Sequence, residues 1–404
     1  MAADGAAVRK RSGEPVSQQD VRRRNLALVL GSVAAQRLPS RSDVAGHTGL
    51  TKAAVSSLVD ELIERGALTE VETAPDGRVG RPGRALAVRD RGPAGLGLEI
   101  GVAHLAACVT DLRGEARVWR RVDGANAGRP AAEVLADVAA LAAEAEAEAA
   151  DLGLHVAGRV LALPGVVPNE PRGLVENAPN LGWHAVRPAD HWPGPTPAPT
   201  VENEANLGAL AEYWHDERQT GTLVHISAEA GIGAALVVDG ILFRGARGFA
   251  GELGHLPVDP AGPRCACGSL GCLEQYAGQA AVLREAGLPA SAGDHVALLA
   301  ERAAAGDAAV LRALDRAGRA LGLALVSAVN LIDPDGIVLG GTYAELADWL
   351  LPSVRAELTA RITVRPWAAE TLRASALGRR GPVLGAALVT VRQLLADPTL
   401  LPSG

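Results

Sequence analysis

Residues 251–274 read Gly-Glu-Leu-Gly-His-Leu-Pro-Val-Asp-Pro-Ala-Gly-Pro-Arg-Cys-Ala-Cys-Gly-Ser-Leu-Gly-Cys-Leu-Glu and hold three of the chain's four cysteines beside one histidine. His255, Cys265, Cys267 and Cys272 make a Cys₃His set, the closed tetrahedral donor set of a structural zinc site. The spacing Cys-x-Cys-x₄-Cys is too tight for one helix, so the thiols must converge through a turn, which Gly268 and Gly271 permit. A nucleic-acid-binding zinc knuckle is the competing reading of the cluster; its acidic neighbours Glu252, Asp259 and Glu274 oppose it. The fourth cysteine, Cys108, lies in an alternating apolar stretch and reads as a small buried hydrophobe.

The composition suits that metal. Four cysteines in 404 residues, three of them clustered with a histidine, fit a reducing compartment better than a disulfide framework. The chain is 48% hydrophobic and long enough for two or three domains. It has neither a run long and apolar enough for a membrane span nor an apolar core behind Arg9, Lys10 and Arg11, so a cytoplasmic protein is expected. The net charge of −7 is uneven. Residues 1–91 carry 15 Arg and Lys against 11 Asp and Glu, and the remainder 24 against 35. A basic head on an acidic body is the electrostatic pattern of an N-terminal module that meets a polyanion.

Within that head, residues 1–17 read as disordered and 18–90 as a DNA-binding domain. Leu26, Val29, Leu30 and Val33 fall at helical spacing in a first helix over Val21–Ala35. A short helix follows, with Ser42 as candidate N-cap and Gly49-Leu50 as the turn. From Thr51, the residues Val55, Leu58, Val59, Leu62 and Ile63 mark an amphipathic helix that stops at Gly66. Short helix, tight turn and amphipathic helix make a helix-turn-helix. Its polar face presents Thr51, Lys52, Ala53, Ser56 and Ser57 to a major groove. Two strands, Leu68–Val71 and Arg84–Val88, flank a glycine-rich loop and complete a winged helix. Arg78, Arg81 and Arg84 of that wing could reach phosphates or a narrow minor groove. The plainer alternative is a solvated loop on a protein-interaction module.

A linker over Arg89–Pro93 leads to Gly95–Gly101 and the alternation Leu105, Ala107, Val109, a glycine-bearing hairpin. Residues 131–150 form a helix and Arg159–Leu163 a strand that ends at Pro164-Gly165. Leu223–Ser227 and Gly231–Val238 repeat the hairpin. The repetition implies a duplicated α/β body with a cleft between two lobes, 93–202 and 203–382. The first lobe is expected to be completed by a C-terminal helix over 383–404, and the second to carry the zinc site.

Over roughly residues 93–390 the chain resembles the ROK family of repressors and sugar kinases, which share the actin-like, hexokinase-like two-lobed ATPase fold. The resemblance rests on Gly251-Glu252-x-x-His255 with Cys265-x-Cys267-Gly268-x-x-Gly271-Cys272-x-Glu274. Pro164-Gly165, Asn180-Leu-Gly-Trp183, Glu202-Asn203-Glu204-Ala205-Asn206 and Gly340-Gly341 add to it. It implies a sugar site formed by Asn203, Glu204, Glu252, His255 and Glu274, with Gly165 and Asn180 beside them. Carboxylates and amides of this kind bridge adjacent sugar hydroxyls. His255 would meet the sugar with one ring nitrogen and zinc with the other.

The winged helix resembles the regulator branch of that family. Two departures from the kinase pattern point the same way. The phosphate-binding Asp-x-Gly-Gly-Thr of the kinases is replaced by Glu99-Ile-Gly101-Val-Ala103, and the catalytic aspartate by Glu204, one methylene longer. The expected protein is therefore a non-enzymatic, sugar-responsive repressor that binds structural zinc but neither ATP nor magnesium. Its partners would be operator DNA, a monosaccharide or sugar phosphate, and a second copy of itself, as a homodimer or tetramer. The alternative is an ATP-dependent sugar kinase with an appended DNA-binding domain.

Overall fold

The structure is a computed structural model that describes residues 17–72, 84–216, 221–289 and 295–401. Its N-terminal module consists of helices α1 (Gln18–Ala35), α2 (Arg41–Thr48) and α3 (Lys52–Glu64), followed by strands β1 (Leu68–Glu72) and β2 (Arg84–Val88). The two strands pair antiparallel from Leu68↔Val88 to Glu72↔Arg84. This is a winged helix-turn-helix arrangement; the wing loop and the segment before Ser17 lie outside the described residues.

Two boundaries differ from those expected. Helix α1 begins three residues before Val21, because Ser17 and Asp20 form a reciprocal capping box. The cap of α2 is Ser40 rather than Ser42: Ser40 and Asp43 satisfy each other's backbone amides, and the Ser42 hydroxyl turns back to Ser40 Oγ at 2.9 Å. Gly49 ends α2 in the left-handed region at φ 72°, which a side chain would strain.

The body opens with β3 (Gly92–Ile100), β4 (His104–Asp111) and β5 (Ala116–Asp123). The expected linker is thus cut short, since Gly92 already donates to Gly153 O and Pro93 is buried. Helix α4 (Ala131–Asp151), β6 (Leu154–Leu163), β7 (Val175–Ala178), β8 (Trp183–Val186), the short α5 (Pro188–His191) and β9 (Thr200–Asn203) follow. The second half comprises α6 (Glu204–His215), β10 (Thr222–Ala228), β11 (Ile232–Val238), β12 (Ile241–Phe243), α7 (Glu274–Ala277), α8 (Gln279–Glu285), α9 (His295–Ala304) and α10 (Ala308–Ile332). It continues through β13 (Gly336–Gly341), α11 (Thr342–Glu345), α12 (Ala347–Arg361), β14 (Leu372–Ala374) and α13 (Gly381–Ala396).

Two five-stranded sheets share one topology. Their strand orders are β5-β4-β3-β6-β9 and β12-β11-β10-β13-β14. In each, an antiparallel meander of three strands is extended by two parallel strands, the sheet of a duplicated α/β fold. The larger core lies between the second sheet and α10, α12 and their neighbours, and a separate one packs α4 on the first sheet.

Helix α13 joins the parts. It stops at Ala396, short of the expected end at 404, because Pro398 cannot continue it and Asp397 caps a 3-10 turn over Pro398–Leu400. Its N-terminal half lies against β3, where Gly95 and Gly97 allow backbone contact: a Cβ at Gly97 would fall 2.0 Å from Val383 O. Its own Gly385 faces α6 in the same way, 2.0 Å from Leu207 O for a Cβ built there. Its far end enters the core of the winged helix. Val391, Leu394 and Leu401 are buried with Leu26, Val29, Leu30, Val55, Leu62 and Leu86, together with Leu112 of the body.

Candidate functional site

The four sequence-assigned metal ligands meet in one loop. One ligand atom from each of His255, Cys265, Cys267 and Cys272 lies within 4.8 Å of all the others, so the cluster could hold a metal ion. Cys265 Sγ is 3.8 Å from His255 Nδ1, and Cys267 Sγ is 3.7 Å from Cys272 Sγ. The turn that brings the thiols together is closed by Cys265 N to Ser269 O at 2.9 Å and by Gly271 at φ 63°. Cys108 is fully buried in the first sheet, away from this loop, and burial pushes its thiol up to about 12.

His255 turns its other nitrogen outward. Nε2 lies 3.8 Å from Glu252 Oε2. Partial burial raises the Glu252 carboxyl; the neighbouring His255 opposes the shift and Glu274 adds to it. Glu274, the first residue of α7, accepts from Ile232 N at 3.2 Å. A Cβ on Gly231 would lie 2.8 Å from Glu274 Oε2 and 3.3 Å from Asn180 Nδ2, so Asn180 and Glu274 converge on the glycine turn between β10 and β11.

A second shelf faces them at the junction of β9 and α6. Asn203 is the N-cap of α6, its Oδ1 accepting from Ala205 N and Asn206 N. Its Nδ2 donates to Gly165 O and to Glu204 Oε2, both at 2.9 Å. Gly165 itself has φ 147° and no room for a side chain, since a Cβ would meet Asn177 O at 2.7 Å. Burial drives the Glu204 carboxyl up to about 8, and the carboxylates of Glu99, Glu229 and Glu252 add to the shift. At neutral pH Glu204 is thus mostly protonated and can donate as well as accept a hydrogen bond.

Side chains outside the sequence-assigned sugar set also surround this cleft. Glu99 and His104 are sealed together in the first hairpin, with His104 Nε2 3.4 Å from Glu99 Oε1. The His104 ring covers Gly101, where a Cβ would meet its Cε1 at 2.3 Å. Glu229, in the turn after β10, lies 3.5 Å from Arg379, which also reaches Glu345 at 3.1 Å. The one available signal for Glu229 was an acidic residue in a glycine turn.

On the N-terminal module, the apolar side of α3 is buried through Val55, Leu58, Val59 and Leu62. Thr51, Lys52, Ala53 and Ser57 are exposed and Ser56 is half-buried. Thr51 also caps the helix, accepting from Ala54 N at 3.2 Å. Arg84 is exposed and pairs with Glu70 at 2.8 Å, whereas Arg78 and Arg81 lie outside the described residues.

Comparison with known proteins gives this architecture a family. The model of the ROK family matches residues 95–393. The chain belongs to the ROK family. Among its relatives, the putative xylose repressor of Caldicellulosiruptor sp. (strain Rt8B.4) is 28% identical over 93% of this chain and 97% of its own length. The xylose repressor of Bacillus subtilis (strain 168) is 26% identical over 94% and 97%. A glucokinase of Thermotoga maritima is 31% identical, but over only 56% of this chain and 76% of its own. Among solved structures, a ROK family transcriptional regulator, a homologue of the E. coli MLC protein, superposes with a TM-score of 0.75 at 25% identity, covering 94% of this chain and 98% of that one. A ROK glucokinase from Streptomyces griseus, in complex with glucose and AMPPNP, gives 0.60 at 27% identity over 74% and 99%. The described residues include no helix long and apolar enough to cross a membrane.

Proposed function

We propose that this chain is a transcriptional repressor that binds operator DNA through its winged helix and lets go when a small sugar occupies the cleft between its sheets. The observation that carries this reading is the reach of the likeness. Named repressors match 93% or more of the chain, the N-terminal module included, whereas the two glucokinases compared above match 56% and 74% of it.

In the proposed site Asn203, Glu204, Glu252, His255 and Glu274 bind sugar hydroxyls, flanked by Gly165 and Asn180. Amide, carboxylate, protonated carboxyl and imidazole supply both donors and acceptors, as a ring of hydroxyls requires. Zinc is the proposed metal of the Cys₃His loop. A tetrahedron with Zn–S bonds of about 2.3 Å has edges of about 3.8 Å, the size of the observed sulfur–sulfur and sulfur–nitrogen separations. Bound there, zinc would fix the tautomer and orientation of His255, leaving Nε2 for the sugar. Thr51, Lys52, Ala53, Ser56, Ser57, Arg78, Arg81 and Arg84 are the proposed DNA contacts. A cytoplasmic homodimer is the proposed working form, because two-fold assemblies read paired half-sites.

Phosphoryl transfer is not part of the proposal. Where ROK kinases carry glycine and threonine for nucleotide phosphates, this chain has Val102 and Ala103, with the His104 ring over Gly101. Buried Glu99 and nearby Glu229 place acidic side chains in a cleft that would have to accept phosphates.

The test is an operator shift titrated with D-xylose, D-glucose and their phosphates, beside an assay for ADP release with ATP and magnesium. Sugar-dependent release of DNA without ADP is expected; steady ADP production would replace the repressor reading with the kinase. In the same preparation Cys267→Ser should lose the stoichiometric zinc of the wild type. Retention of one zinc per chain would remove Cys267 from the ligand set.

A further inference from the structure

The two halves of the candidate sugar site come from different sheets, and a direct tie between them is made by a side chain that none of the assignments above includes. Arg244 follows β12 at the edge of the second sheet. Its Nη1 pairs with Glu202 Oε2 on β9 of the first sheet, its Nε donates to Asn169 Oδ1 at 2.8 Å, and its Nη2 donates to Val167 O at 3.2 Å. All three acceptors belong to the first half of the body. The guanidinium and the Glu202 carboxylate are largely buried, at 27% and 16% exposure, so solvent screens the pair only partly.

Each end of this contact leads into the site. Glu202 uses its other oxygen to accept from Asn203 N at 2.8 Å and from Asn206 Nδ2 at 2.9 Å, which sets the shelf carrying Asn203 and Glu204. On the other side, Arg244 starts the segment that runs through Gly251 into Glu252 and His255. Asn169 staples that segment along its length, its Nδ2 donating to Gly245 O at 3.0 Å and its N to Arg247 O at 2.9 Å. Gly248 lets the two backbones touch, since a Cβ there would lie 2.7 Å from Asn169 N.

We propose that Arg244 is a positioning residue for sugar binding: it holds the Glu202–Asn206 shelf and the 244–255 segment in register, so that groups from both sheets close on one ligand. The planar fork matters, because three acceptors in two chain segments are met by three separate N–H directions, which an ammonium on a flexible stem cannot reproduce. The inference rests on the proposed sugar site, and its test is built so that the two can fail separately.

The decisive measurement is amide hydrogen exchange across the full chain for wild type, Arg244→Ala and Arg244→Lys. Arg244→Ala is expected to speed exchange on the order of tenfold, the loss of a charge-assisted contact set, in both 203–206 and 245–255 while α10 keeps its protection. Arg244→Lys should recover little of this. Methylguanidinium added to Arg244→Ala should slow both segments again, a rescue that a residue serving only as packing would not show. Asn169→Ala, which leaves the ion pair in place, should give the same pattern more weakly and stands in if Arg244→Ala does not fold. Exchange that rises in one segment alone, or is indifferent to methylguanidinium, overturns the proposal. Calorimetry with D-xylose then adds the functional arm, with affinity expected to fall roughly tenfold and metal content unchanged. A wild type that ignores D-xylose bears on the proposed function, while the exchange experiment still decides the role of Arg244.

Discussion

Glu204 opens α6, where unpaired backbone amides favour a carboxylate, yet burial in the cleft and the nearby Glu99, Glu229 and Glu252 outweigh them and carry its pKa to about 8. The sign of the consequence is definite. Between the ordinary value near 4.5 and about 8, the folded chain keeps a proton that the unfolded chain has released, so stability falls as pH rises through that window. Glu204→Gln removes the titration. Its melting temperature is expected to equal that of the wild type near pH 4.5, to exceed it increasingly up to about pH 8, and to keep a constant advantage above. Thermal unfolding across that pH range is the check, and a difference independent of pH would mean that Glu204 is ionised in the folded protein. A residue one methylene longer than aspartate was visible in the sequence. Its protonation was not, because that depends on three acids scattered over 153 positions, Glu99 to Glu252, meeting in one cleft.

At the scale of elements, α6 and α13 lie backbone to backbone because Gly385 has no side chain, and Gly95 and Gly97 do the same for α13 on β3. Gly385→Ala would place a methyl 2.0 Å from Leu207 O, too close for any rotamer change to relieve. Forced separation of the helices should cost about 1–3 kcal/mol, read as a lower urea midpoint, even though alanine favours helix. An unchanged or raised midpoint would show that the helices can part freely.

The strands of the wing and of both hairpins were legible because alternating apolar residues bounded by glycine leave few other readings. Helix ends were less so: Ser40 and Ser42 are both plausible caps, and only the reach of Asp43 back to Ser40 N distinguishes them. The candidate metal ligands stood out since soft donors cluster in sequence as well as in space. Arg244 did not, as its three acceptors lie 42 to 77 residues away and nothing local marks it among the many arginines.

Across the whole molecule, the core of the winged-helix module is completed by the body, whose Val391, Leu394 and Leu401 are buried among the module's own Leu26, Val29, Leu30 and Leu62. Besides the apolar residues shared with α13, Arg65 at the end of α3 donates to Leu401 O at 2.9 Å, and Arg23 lies 3.6 Å from Asp397. Leu394→Ala is expected to destabilise the module by about 3 kcal/mol and, on the proposed function, to weaken operator binding, while any metal held by the His255–Cys272 loop is retained. Equal operator affinity in the variant would show the module to be independent of the helix. A cleft-facing α6, the α13 packed on it and the winged helix beyond form one continuous path of packed elements, the route by which the proposed sugar site would be coupled to the proposed DNA-binding module.

The contact between Arg65 and Leu401 joins residues 336 positions apart, and this has a meaning for the protein's birth. The winged helix is made before the body, but its core waits for Val391, Leu394 and Leu401, which follow it by the whole length of the body. At about 5–20 residues per second the delay is on the order of half a minute. A chain interrupted before these residues therefore cannot complete the winged-helix core and is left with an unfinished module.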